Sequence, residues 1–131
     1  MAGATIEVSL SGGETTETLT RYRPGETIRG EVLVIPDGDL RCNHLRARLK
    51  WHTEGRGDRD QETVAEADLF QGTLPAGMPR QYPFAFELPR QPWSYAGKYI
   101  NIIWQIEVVI DVPMAKDPTH RQPFILAPDP V

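Results

Sequence analysis

The sequence predicts an all-β fold, an immunoglobulin-like antiparallel β-sandwich of about seven strands filling one domain over residues 1–131, and three observations carry that reading. In the stretch Lys98 to Val112, every even position from Ile100 onward is apolar: Ile100, Ile102, Trp104, Ile106, Val108, Ile110 and Val112. The odd positions Asn101, Gln105, Glu107 and Asp111 are polar, so one face goes to a core and the other mostly to water. The 12 prolines are well above the average share of about 5%, and most fall between apolar runs, where they stop helices and bound strands. Shorter runs of the same period-two pattern recur at close spacing with turn residues between them.

Taken in order, Ala4 to Leu10 reads as a strand, with Ile6, Val8 and Leu10 alternating against Glu7 and Ser9. Ser11 to Glu26 reads as a polar loop, too rich in Thr, Glu and Gly for a core. Thr27 to Ile35 alternates Ile28, Gly30, Val32 and Val34 against Arg29, Glu31 and Leu33, and ends at the turn Pro36-Asp37-Gly38-Asp39. Arg41 to Thr53 sets Leu45, Ala47, Leu49 and Trp51 on one face and Cys42, His44, Arg46, Arg48, Lys50 and His52 on the other. Glu54 to Asp60 is a charged, Gly-containing hairpin connection. Gln61 to Phe70 reads as a strand in preference to a short helix through Val64–Ala67, because its neighbours are strands. Tyr82 to Leu88 points Tyr82, Phe84, Phe86 and Leu88 one way, Pro89 to Gly97 turns into the long strand, and a last strand ends with Phe124-Ile125-Leu126.

At 131 residues the chain can bury one core without disulfides or metals. A net charge of −4 disfavours a general nucleic-acid role. The single Cys42 excludes an internal disulfide, and the N-terminal stretch has neither a basic nor an apolar leader segment. No apolar run approaches the length of a membrane span. The expectation is a cytoplasmic protein without a transmembrane segment.

Two stretches carry a resemblance. Tyr22-Arg23-Pro24-Gly25-Glu26, followed by the alternating strand with Gly30 inside it, is one; Leu88-Pro89, Pro92, Ser94 and Gly97, leading through Trp104 to Ile110-Asp111-Val112-Pro113 and Asp117, is the other. In order and spacing they resemble the signature of arrestin-like domains. The resemblance implies a non-enzymatic β-sandwich used as a protein-binding scaffold or adaptor, in a family whose bacterial members include sporulation-control proteins. Two departures matter: arrestins carry two sandwiches where this chain has room for one, and their buried charged phosphate-sensing cluster has no match here. Receptor-binding and activation roles therefore do not carry over, and the expectation is a single prokaryotic domain.

Arg46, Arg48, Lys50 and His52 form the clearest polar constellation, a row of about 20 Å on one strand face. Such a row suits an acidic or phosphorylated protein segment; the plainer reading is a solvated face paired across strands with residues such as Glu107 or Glu66. Leu33, Ile35, Ile103 and Val109 fall on faces assigned to water and are candidates for self-association into a homodimer. Cys42 and His44 on one face are too few ligands for a metal site, and no cofactor motif is present. Arg56-Gly57-Asp58 is a cheap three-residue match to an adhesion tripeptide. Ser94, His120 and Asp111 have no nucleophile elbow to assemble them, and the chain reads as no enzyme. The alternative to a protein-binding scaffold is a carbohydrate- or small-ligand-binding sandwich with Trp93, Tyr95 and Trp51 as an aromatic platform.

Overall fold

The computed structural model describes residues 3–16, 19–56, 59–97 and 100–128. Among these residues the chain forms ten strands: β1 (Ala4–Ser11), β2 (Glu14–Thr15), β3 (Thr20–Tyr22), β4 (Thr27–Pro36), β5 (Leu40–Gly55), β6 (Gln61–Leu74), β7 (Arg80–Glu87), β8 (Tyr95–Ala96), β9 (Ile100–Asp111) and β10 (Thr119–Leu126). Among the described residues no helix is long and apolar enough to cross a membrane. A smaller sheet runs β1-β4-β7 and a larger one β2-β3-β10-β9-β5-β6, with β8 added beside β9. Every pairing is antiparallel except that of β10 with β3.

The core lies between the sheets. Ile28, Val32, Val34, Phe84 and Phe86 point in from the smaller sheet, and Leu45, Ala47, Leu49, Trp104, Ile106, Val108 and Ile110 from the larger. These are the in-phase apolar sets of alternating strands, which is why one register buries them all. Gly30 serves close packing within that layer. A Cβ there would lie 2.4 Å from the Ser9 carbonyl oxygen and 2.7 Å from the Phe84 ring. The Pro24-Gly25 turn places Gly25 at φ 83°, a left-handed conformation that glycine adopts without steric cost. At the far end of β9, the Asp117 carboxylate accepts a hydrogen bond from the Val112 N–H at 2.9 Å, closing the turn that Pro113 begins.

Four expectations need correction. The segment Ser11 to Glu26 is not a plain loop: it holds β2 and β3, and Tyr22 is fully buried, its hydroxyl donating to the Ser11 carbonyl at 2.7 Å. Its polar composition conceals a strand whose partner, β10, is about a hundred residues away and contributes Phe124 edge-on to the Tyr22 ring at 5.7 Å. Cys42 does not share the face of His44 and Arg46 but is buried in the core. An irregularity between Cys42 and Leu45 shifts the phase of β5, so Leu40 and Cys42 point inward on even positions and Leu45, Ala47 and Leu49 on odd ones.

Ile100 is exposed and Ile102 only half-buried. The 16 residues of β5 and 12 of β9 outrun the 8 to 10 residues of the smaller sheet's strands, and a shorter sheet cannot cover the whole inner face of a longer one. Finally, Gln105 and Glu107, on the face assigned to water, are both buried. The residues 61–70 do form a strand, and β6 continues it to Leu74.

Candidate functional site

The outer face of the larger sheet is built by four adjacent strands, β10, β9, β5 and β6, whose register decides what meets what. Arg48 lies opposite Glu66 of β6 on one side and Glu107 of β9 on the other. Arg121, on β10, lies opposite Glu107 from the far side. Glu107 thus sits at the centre of the face with its carboxylate 3.0 Å from Arg121 and 3.5 Å from both Arg48 and Lys50. Only 6% of its side chain is exposed, and the three cations converge on its carboxylate. Glu66 takes Arg48 at 2.7 Å and Arg46 at 3.5 Å. The hydrogen bond that Arg48 donates to Glu66 is the main cause that pushes its guanidinium further up from its ordinary value, against the cost of partial burial.

Four cations therefore share two carboxylates. Next to them, Asp68 pairs with His44 at 2.7 Å and accepts from the Gln71 amide at 3.0 Å. Those two hydrogen bonds, Gln71 first, hold the Asp68 carboxyl below the usual carboxylate range. His52, the last residue of the row, meets Glu54 at 3.1 Å.

The row Arg46, Arg48, Lys50 and His52 thus stands on one face, half-buried and paired in turn with Glu66, Glu107 and Glu54. The four apolar candidates are not brought together. Ile103 lies opposite His52 and Val109 opposite Arg46, so both belong to this same face. Leu33 and Ile35 lie on the smaller sheet opposite Glu7 and Thr5, on the other side of the sandwich. Arg121 was not legible beforehand, because it joins the cluster only through the register of β10 on β9, which no local spacing reports.

The remaining motifs are dispersed. The Ser94 hydroxyl accepts from the Leu126 N–H at 2.9 Å, six residues along β10 from His120, or about 20 Å by strand rise. Ser94, His120 and Asp111 therefore form no catalytic group. Gly57 and Asp58 of the adhesion tripeptide lie outside the described residues. No cluster of three or more metal-binding side chains occurs among the described residues. Of the aromatic platform, Trp93 and Tyr95 are exposed, whereas Trp51 is half-buried on the inner face opposite Trp104.

Residues 57–129, more than half of the chain, match the family described as arrestin (or S-antigen), N-terminal domain. The second motif stretch falls inside the matched residues, while Tyr22 to Val34 precedes them. Among solved structures, the sporulation control protein Spo0M from Bacillus subtilis is similar over 96% of this chain, with a TM-score of 0.72 at 18% sequence identity. That match takes up 50% of the Spo0M chain, so the present chain spans half its length, and at 18% identity the likeness is one of fold. No curated protein matches the chain.

Proposed function

The chain belongs to the arrestin N-terminal domain family, and from that premise we propose that it is a non-enzymatic scaffold whose larger sheet docks an acidic segment of a protein partner. The observation that supports this reading is the unequal pairing on that face: among the described residues the salt bridges of Arg46, Arg48, Lys50 and Arg121 go to two carboxylates, Glu66 and Glu107. Arginine presents five N–H donors in a planar fork, so a guanidinium engaged by one carboxylate oxygen keeps donors for another anion. In a protein of net charge −4, this concentrates positive potential on a rigid, flat surface. Ile103 and Val109 at the two ends of the row supply apolar contact beside the charges.

The test uses a panel of synthetic acidic and phosphorylated peptides titrated into the protein at several salt concentrations. Binding should weaken as salt rises, since exposed charge pairs are screened over about 8–10 Å near physiological ionic strength. Arg46→Gln combined with Arg121→Gln should weaken binding at least tenfold while Arg48, which holds both carboxylates, stays in place. Unchanged binding by that double variant would make the face a solvated surface and nothing more.

A further inference from the structure

At one end of the sandwich, Arg23, Pro24, Arg90, Gln91, Trp93 and Pro128 line an open cleft. We propose that this cleft is a second binding site, for an extended acidic peptide segment that carries an apolar residue beside its carboxylates. Its walls come from three separate parts of the chain: the β3–β4 turn, the β7–β8 loop and the residues after β10.

The first support is charge. Among the described residues neither Arg23 nor Arg90 has an ion-pair partner within 4 Å, as is also true of Arg29, Arg41, Arg59 and Arg80, but only Arg23 and Arg90 line this cleft. Glu26, the acid of the same turn, accepts a hydrogen bond from the Arg23 backbone N–H rather than pairing with its guanidinium. Two arginines that make no ion pair among the described residues therefore line one cleft in an acidic protein. The second support is the indole of Trp93, 48% exposed, which gives the cleft a flat apolar wall flanked by two proline rings.

The third support is rigidity. The Trp93 indole N–H donates to the Arg90 carbonyl at 2.8 Å, which fixes the ring relative to the arginine. Gly25 N–H to Leu88 carbonyl, at 3.1 Å, and Leu88 N–H to Glu26 carbonyl, at 2.8 Å, tie the turn to the start of the loop. Ser94 N–H to Leu126 carbonyl, at 2.8 Å, and Ala127 N–H to Tyr22 carbonyl, at 3.0 Å, tie loop and chain end to the sheet. Trp104, buried below, donates its indole N–H to the Pro92 carbonyl at 2.7 Å. Loops held this way lose little conformational freedom when a ligand arrives, and Trp and Arg are the side chains that contribute most to interface affinity. Guanidiniums are donors only and match carboxylates in shape, which selects an anion over a neutral sugar.

The probe is the peptide acetyl-Asp-Glu-Phe-Pro-Glu-Asp-amide, free of tryptophan, followed by calorimetry and by the protein's tryptophan emission. Arg23→Gln with Arg90→Gln should weaken its binding at least tenfold, and Trp93→Ala should remove most of the emission change. Both variants should keep the wild-type melting temperature, because the side chains altered sit on the surface. The same peptide with lysine at every acidic position should not bind. Equal binding of the lysine peptide, equal binding by the arginine double variant, or equally tight binding of a short single-stranded DNA would each overturn the proposal. Arg46→Gln with Arg121→Gln separates this cleft from the sheet face: retained binding there, with loss in the cleft variant, supports the cleft whatever becomes of the sheet-face reading. The reverse pattern refutes it.

Discussion

Glu107 stands opposite Arg48 across the β5–β9 ladder, its carboxylate 3.5 Å from the guanidinium. The pair sits where strand alternation alone would place two solvated side chains, yet the carboxylate is buried. Three cations converge on it, so removing its charge leaves them facing one another with nothing between. Glu107→Gln should lower the urea midpoint by an amount corresponding to about 1–3 kcal/mol, less than for a fully buried pair because the cations reach water. A midpoint equal to wild type would show that the cations do not depend on it.

Ile106 is fully buried at the centre of β9. Ile106→Ala should cost about 2–5 kcal/mol through lost transfer energy and the cavity left behind. Ile100→Ala, at the uncovered end of the same face, should cost less than about 0.5 kcal/mol. Chemical denaturation of the two variants side by side checks both, and equal losses would contradict the burial pattern.

Gly30→Ala puts a methyl group against a backbone oxygen at 2.4 Å, which cannot swing away as a flexible side chain would. The expected loss is about 1–3 kcal/mol. Gly38→Ala, where nothing lies within 4 Å, is the control and should leave the melting temperature nearly unchanged.

Burial, helped by Glu26, pushes the Tyr22 hydroxyl from 10.0 up to about 12. The folded chain thus favours the neutral phenol, while the unfolded chain ionises near pH 10. The stabilisation is complete below pH 10 and is lost as pH rises from 10 to about 12, amounting to on the order of 2–3 kcal/mol. Tyr22→Phe should flatten the alkaline limb of stability against pH, and should cost about 1 kcal/mol at neutral pH for the lost hydrogen bond to Ser11. An unchanged alkaline limb in that variant would assign the effect to another group.

Self-association, if it uses an apolar face, has two separate faces to choose from. Ile103 and Val109 share theirs with the basic row, whereas Leu33 and Ile35 are on the opposite sheet. We expect the larger sheet to pair: Ile103→Lys should shift sedimentation to the monomer, Leu33→Lys should not, and an acidic peptide should compete with pairing. A wild type that sediments as a monomer at high concentration would end the idea.

The strands themselves were legible because alternation is local: a period of two in Ile100–Val112 or Thr27–Ile35 follows from side chains pointing to opposite faces of an extended chain. The same local chemistry announced the Pro24-Gly25 turn and the Asp111 to Asp117 corner, and with them the family. What the sequence left open is non-local. The phase change after Cys42, the parallel docking of Tyr22 beside β10, and the meeting of Arg48, Lys50 and Arg121 over Glu107 all depend on which residue of one strand lies opposite which of another. Register is decided by the packing of whole sheets, since a shift of one residue would exchange core and solvent faces along a strand. For that reason the row on β5 could be read from spacing alone, while its partners, and the burial of the carboxylate that anchors it, exist only in the folded chain.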